Sequence, residues 1–458
     1  MKSFTIVNPA TSAVLDSAPD ATADEARQAV ERSVAAFASW KAKTPFERSA
    51  ILRKWYERIL KDEDTLAKMM TQEMGKPISE SRGEVKYAAA FVEWYAEEAK
   101  RGYGDIIPSH AGNKRLLAMR QPVGPVYAVT PWNFPAAMVT RKVAPALAAG
   151  CTVVLKPAEQ SPLTAIRLEA LWAEAGGPPD VFQVLTTSDP AAVSQVFFDD
   201  VRVRKLTFTG STEVGITLYE KAAKTVKRVS LELGGHAPFI VCDDADIPAA
   251  VQQVMASKFR NAGQTCVCAN RIYVHDRIQP AFADRMAEGI RNLRVGDPMS
   301  DQTQVGPLVD KQGVEKVAAH VEDALRQGAT AVVGGKRRDG LFFDPTLLTG
   351  VKRGMRILEE ETFGPVAPIV GFTDEAEIIR AANATPYGLA AYVWTKDLGR
   401  AFRIAEQLEY GIVGVNDGLP AVPHAPFGGV KFSGFGREGG PWGMDEYLDV
   451  KYISIALP

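Results

Sequence analysis

The sequence predicts an α/β protein with two sheet-containing domains, each a parallel sheet flanked by helices. Three observations carry that prediction. From Val126 onward, short apolar runs alternate with helical stretches: VYAVT, TVVLK at 152–156, VFQVL at 181–185 and KLTFT at 205–209. Such runs, separated by helices, are the signature of strand-helix-strand units whose sheet is covered on both faces. A second cycle follows Glu232, with FIVC, RIYVH, ATAVVGG and VAPIVGF as strand candidates. The length, 458 residues, exceeds what one hydrophobic core organises, so two or three domains are expected.

The elements follow in order. Thr22-x-x-Glu25 reads as a capping box, after which Val30, Val34, Phe37 and Trp40 recur on one helical face. Leu52, Trp55 and Ile59 mark a second helix, and Val85, Ala88, Phe91 with Trp94 or Tyr95 a third, until the glycine-containing stretch 101–112 breaks the pattern. These helices are expected to pack on a sheet formed later in the chain. KRLLAMRQP and EYLDVKYISIAL are strand-like but belong to neither sheet by pattern. No internal repeat or low-complexity linker interrupts the chain.

With 46% apolar residues, 24% charged and a formal net charge of -2, the composition is that of a soluble globular protein. Nothing in it favours nucleic acid or an anionic membrane surface. No run of about 18 apolar residues occurs and MKSFTIVNPATSAVL lacks the apolar core of a signal peptide, so a cytoplasmic enzyme is expected. Cys151, Cys242, Cys266 and Cys268 are too few and too unevenly spaced for a disulfide framework. Only Cys266 and Cys268 lie close together, with no nearby histidine, so no metal site is expected.

The chemistry concentrates in three segments. KFRNAGQTCVCANR sets Cys266 among small and polar residues, six positions after Arg260. Thiolate is the reactive form of cysteine and needs a polar, donor-rich setting. Cys151 and Cys242, beside strand-like runs, read instead as buried packing residues. VSLELGGHAPF places Glu232 before Gly234 and Gly235, and VTPWNFP places Asn133 where a strand breaks into a loop. A nucleophile, a base and an amide donor are thus available, although taken singly Asn133 also fits a turn and Glu232 a strand-end surface residue.

In order and wording these segments resemble the NAD(P)-dependent aldehyde dehydrogenase superfamily along essentially the whole chain. CVCANR, FGGVKFSGFGREG and the TRK after WNFPAAM are most similar to its succinate semialdehyde dehydrogenase branch. The resemblance implies an aldehyde dehydrogenase-like fold: a Rossmann-like cofactor domain at 1–112 and 124–231, an α/β catalytic domain at 232–431, and a small β oligomerisation element at 113–123 and 432–458. It implies Cys266 as nucleophile, Asn133 with the Cys266 N–H as oxyanion donors, and Glu232 as the base that activates water.

For the cofactor, it implies contacts from Thr130, Trp132, Lys156, Glu159, Gly210, Ser211, Gly215, Glu361 and Phe363. FTGSTEVG is not a GxGxxG motif, and Ser211 with Thr212 is equally compatible with a helix-capping turn. The choice of Glu361 over Glu360 follows the family alignment. A carboxylate at Glu159 near the 2′ position accepts from a hydroxyl and repels a phosphate, which favours NAD over NADP. Arg141 and Arg260 match two arginines that hold the substrate carboxylate in the semialdehyde branch, and some branch members use the CVC pair as a redox switch, a role open to Cys268.

One departure stands out. VNDGLPAVPHAPFGG has Ala421 and Val422 where branch members carry a serine hydroxyl, and His424 in the same loop is a candidate to compensate for it. The expected reaction is oxidation of succinate semialdehyde to succinate with NAD, by a homodimer or homotetramer. A broader or different aldehyde such as glutarate semialdehyde, coenzyme A-dependent acyl transfer, and a non-catalytic protein on the same fold are the alternatives.

Overall fold

The computed structural model describes residues 2–458. Its first large sheet runs, in spatial order, Gly434–Phe435, Arg228–Glu232, Lys205–Thr209, Val126–Val129, Val153–Lys156 and Phe182–Val184. The last five are parallel, and Gly434–Phe435 joins antiparallel at the edge. The earliest strand, Val126–Val129, lies between Lys205–Thr209 and Val153–Lys156, so the winding reverses beside it. Open α/β sheets bind ligands outside the carboxyl ends of the strands at such a reversal.

The second sheet has seven strands in the order Thr330–Val333, Thr346–Thr349, Val366–Phe372, Ala269–His275, Ala237–Val241, Ala390–Trp394 and Ile412–Val415. Only its Thr330–Val333 edge is antiparallel. Leu448–Ala456, Lys114–Pro122 and Asp105–Ile107 form a separate three-stranded antiparallel sheet, pairing the two segments that fitted neither large sheet by pattern. The expected boundaries shift in detail. Glu232 is the last residue of a strand of the first sheet, Gly434–Phe435 also pairs there, and Asp105–Ile107 joins the small sheet.

The early helices pack on the first sheet as expected. Trp172 meets both Trp40 and Trp55 edge-on, with ring centroids 5.8 and 5.6 Å apart, a favoured aromatic geometry. The capping box at Thr22 and Glu25 is present, and Thr44 with Glu47 forms a second that the pattern reading missed. On the first helix Val30 and Trp40 are buried, while Val34 and Phe37 stay partly exposed; on the third Tyr95, not Trp94, is the buried ring. Also unforeseen are the hairpin of Ser3–Val7 with Val14–Pro19 and the Glu63–Met74 helix. Among the described residues no helix is long and apolar enough to cross a membrane.

Candidate active site

Cys266 lies where two cavities meet, since it lines both. It follows a turn in which Asn261, Ala262 and Gly263 all have left-handed backbone (φ 50°, 53° and 77°). Only glycine fits at 263, where a Cβ would sit 2.2 Å from the Gly364 carbonyl oxygen. Gly235 permits a close backbone approach, since a Cβ there would stand 2.4 Å from the Cys266 carbonyl oxygen. Cys266 is partly exposed, whereas Cys151, Cys242 and Cys268 are buried, and all four are free thiols. Burial pushes the Cys266 thiol up to about 12, against the opposing pull of Arg141.

Asn133 is buried. Its Nδ2 donates to the Gln264 carbonyl at 3.0 Å, leaving its second amide hydrogen and Oδ1 free of partners. Glu232 is buried at its strand end rather than on the surface, and its Oε2 has no hydrogen-bond partner. Burial, reinforced by the negative charge of Glu438, holds its pKa well above the usual carboxylate range, and Arg141 and Lys142 only partly offset this. Buried polar atoms are normally satisfied, yet unpartnered ones gather here: Asn133 Oδ1, Arg141 Nη2, Thr209 Oγ1, Glu232 Oε2, Arg260 Nε and Thr265 Oγ1. That concentration marks a place built for a ligand and water.

The larger cavity, about 660 Å³, opens at the winding reversal of the first sheet and is lined by Thr130, Trp132, Lys156, Glu159, Gly210, Ser211, Glu361 and Phe363. Gly215 is absent from the lining. It lies one turn into the Thr212–Ala223 helix, where a Cβ would come 2.3 Å from Leu233, so its role is to let that helix approach the chain leaving the sheet. Ser211 does cap this helix, accepting from the Val214 N–H at 3.3 Å. The capping turn and the cleft contact are therefore one structure, with the helix N-terminus offered to an anion. Lys156 donates to Glu159 at 2.6 Å. Glu361 accepts from the Gly235 N–H at 3.3 Å, and burial lifts its carboxyl to about 7. Glu360 is instead taken up by Arg356 and His320 at 3.0 and 3.2 Å. Cleft position, helix N-terminus and free polar edge together fit a dinucleotide.

The smaller cavity, about 350 Å³, is lined by Tyr87, Met138, Arg141, Arg260, Ala421 and Phe427 among others. Arg260 lies over the Phe134 ring at 5.3 Å with its Nε unpartnered. Arg141 also borders the space, but it is already ion-paired, Nε to Glu438 Oε2 at 2.9 Å, and stacked 3.9 Å over Phe427. The compensation considered for His424 fails, because that residue is exposed, packs 5.9 Å from Trp94 and does not line the cavity. Ala421 lines it; Val422 does not. Cys268 points away from both cavities, its Sγ 3.6 Å from the Lys258 carbonyl.

Sequence reasoning missed Glu438 and Lys142. Glu438 is buried and bonded by Lys142 Nζ at 2.5 Å, besides its pair with Arg141. A glutamate inside a glycine-rich FGREGG run carries no local sign of burial, whereas the adjacent cations in TRKVAPALAAG, within an otherwise apolar helix, did call for a buried anion.

A partly exposed cysteine between a cleft that fits a dinucleotide and a cationic pocket, on two mainly parallel sheets, is the arrangement of an α/β oxidoreductase class. Over residues 1–453 the chain matches the aldehyde dehydrogenase family, and it belongs to that family. It is 52% identical over 454 residues to a succinate-semialdehyde dehydrogenase [NADP(+)] of Escherichia coli (strain K12), covering 99% of this chain and 94% of the relative. A glutarate-semialdehyde dehydrogenase of Pseudomonas putida is 51% identical with the same coverage. The crystal structure of a succinate-semialdehyde dehydrogenase from Burkholderia pseudomallei superposes with a TM-score of 0.98 at 49% identity, covering 100% of this chain and 95% of that one.

Proposed function

We propose that the protein oxidises succinate semialdehyde to succinate with NAD. The observation that carries this reading is the position of Cys266 at the junction of the dinucleotide cleft and the pocket holding Arg260. In that reading the aldehyde enters with its carboxylate toward Arg260 and Arg141. Cys266 is held as a thiol in the free protein, so attack is coupled to loss of its proton, for which the unpartnered Glu232 carboxylate is the acceptor. The resulting alkoxide is met by the free Asn133 amide hydrogen and the Cys266 N–H. A bound nicotinamide would supply the hydride acceptor that turns this adduct into a thioester. Glu232, once it has passed the thiol proton on to solvent, takes a proton from the water that attacks the thioester, and the acid departs as the Cys266 sulfur leaves as thiolate.

Lys156, Glu159, Ser211, Glu361 and Phe363 hold the cofactor in this proposal, and Thr130, Trp132, Gly210 and Gly215 shape its bed. NAD is preferred because the Glu159 carboxylate occupies the cleft edge; the E. coli relative, named for NADP(+), makes NADP the alternative. A second substrate reading, glutarate semialdehyde, is favoured by one observation: Ala421 leaves room and no hydroxyl on the cavity wall. In this reading 1–112 and 124–231 form the cofactor domain, 232–431 the catalytic domain, and 113–123 with 432–458 the oligomerisation element, with Glu232 and Gly434–Phe435 pairing in the first sheet and Asp105–Ile107 in the small one. A cytoplasmic location and a homodimer or homotetramer complete the proposal, with Ile106, Val450 and Tyr452 of the small sheet exposed at 82%, 71% and 60% as the assembly face.

The test compares NADH formation from succinate semialdehyde and from butyraldehyde in wild type and Arg260→Ala. A charged hydrogen-bond partner is worth ~1.5–3 kcal/mol, so kcat/KM for the acid is expected to fall about 10- to 100-fold in the variant, with little change for butyraldehyde. Equal use of both aldehydes by wild type would refute the semialdehyde assignment and leave aldehyde oxidation standing.

A further inference from the structure

We propose that Lys76, Glu80 and Glu84 form a positioning network that fixes the Asn133 amide relative to the Cys266 loop; the idea rests on the reading above that these two residues act together. Glu80 and Glu84 lie one turn apart on the Ile78–Glu98 helix, and all three residues border the smaller cavity. Glu84 and Lys76 are ion-paired with side chains 1% exposed. The other Glu84 oxygen accepts from the Ala136 and Ala137 N–H groups at 2.9 and 3.2 Å. These begin the Ala137–Ala149 helix, which has no capping side chain of its own. Lys76 Nζ donates to the Asn133 carbonyl at 2.9 Å and sits 3.8 Å over the Phe134 ring. The loop holding Asn133 is therefore gripped at Asn133 itself and again at Ala136 and Ala137 by one buried ion pair.

Glu80 grips the opposite wall. It accepts the Asn261 N–H at 2.8 Å, at the start of the left-handed turn that leads to Cys266. Asn261 closes the circuit by donating from Nδ2 to the Asn133 carbonyl at 3.1 Å, while Asn133 donates to Gln264. One helix of the cofactor half thus anchors both the amide donor and the loop of the catalytic half that presents the nucleophile.

Stability alone is a poor account of this arrangement. Buried ion pairs seldom outperform apolar packing of the same volume, and like charges four residues apart on a helix repel. Position is what such a network supplies, because an oxyanion donor acts only when it is aimed at the transition-state oxygen. A displacement of about 1 Å suffices to cost on the order of 100-fold in rate.

The experiment uses the full-length protein as wild type, Glu84→Gln, Asn133→Ala and the double variant. It measures kcat and KM for succinate semialdehyde with NAD, and cofactor-free hydrolysis of p-nitrophenyl acetate, which passes through the same kind of oxyanion. Glu84→Gln is expected to lower kcat in both assays by on the order of 100-fold, with KM within about threefold. In the Asn133→Ala background the same change is expected to cost less than about threefold, because coupled residues are non-additive. Additive losses, or a Glu84→Gln enzyme with wild-type kcat, would overturn the network. If Glu84→Gln fails to fold, by thermal melting, Glu80→Gln is judged by the same criterion from the Asn261 side. A wild type inert toward every aldehyde would refute the proposed function, and the ester assay would still decide the network.

Discussion

The two cavities that meet at Cys266 are made of different materials. The dinucleotide cleft is largely backbone architecture: strand ends at Thr130, Lys156 and Gly210, a helix N-terminus capped by Ser211, and glycines that let neighbouring segments touch. The aldehyde cavity is a side-chain construction, with Glu80, Glu84 and Arg141 projecting from helices, and Lys76 and Arg260 from short segments at helix ends, around apolar walls. Topology dictates the first, so it tolerates changes of side chain and keeps its general ligand class. Individual residues dictate the second, which makes it the region where selectivity is set and where single charges carry far.

That contrast can be broken or sharpened by substitution. Loss of Arg260 carries the largest expected effect, because among the described residues it is the one cation lining that cavity without an anionic partner, Lys76 and Arg141 being ion-paired. Next comes Glu438→Gln. Glu232 must be ionised to act as a base, so turnover limited by thioester hydrolysis is expected to rise with pH through its raised pKa. Burial, the larger cause of the rise, stays in the variant, but removing the Glu438 charge eliminates the repulsion that adds to it and leaves Arg141 and Lys142 free to lower the pKa. The rising limb of kcat against pH should therefore move to lower pH in the variant. An unshifted limb would mean that Glu232 does not set it.

A smaller effect is expected in the cleft. Glu159→Gln removes the carboxylate but keeps the hydrogen-bonding outline, so the ratio of kcat/KM for NAD over NADP should drop by roughly tenfold, about 1.4 kcal/mol. No change in that ratio would put cofactor choice elsewhere. Smallest in basal turnover is Cys268→Ala, whose thiol faces away from both cavities. Its catalysis should match wild type within about twofold, while inactivation by peroxide should lose its reversal by dithiothreitol if a Cys266–Cys268 disulfide protects the nucleophile. Reversal in the variant equal to wild type would exclude that disulfide. Forming it requires the 266–268 segment to turn, against the 2.6 Å hydrogen bond from Tyr392 to the Val267 carbonyl, so the bond should be easily reduced.

Sequence by itself determined the fold class and, through its resemblance to the aldehyde dehydrogenases, the reaction class. Cys266, Glu232 and Asn133 sit in the short motifs that carry that resemblance, and strand-helix alternation reports parallel sheets wherever both faces are buried. It also separated the buried Cys151 and Cys242 from the displayed Cys266, because neighbours along a strand share its burial. Tertiary structure alone decided the charge partners. Glu438 reaches Arg141 and Lys142 from almost 300 residues away in the chain, and Glu84 caps a helix that starts far downstream. The family alignment had already chosen Glu361 over Glu360, and the fold supplies the reason, since Arg356 and His320 hold Glu360. His424 looked available in the chain and is turned outward in the fold. The physical reason is range: periodicity and turn chemistry are encoded within a few residues, whereas a buried charge is satisfied by whatever the finished packing brings beside it.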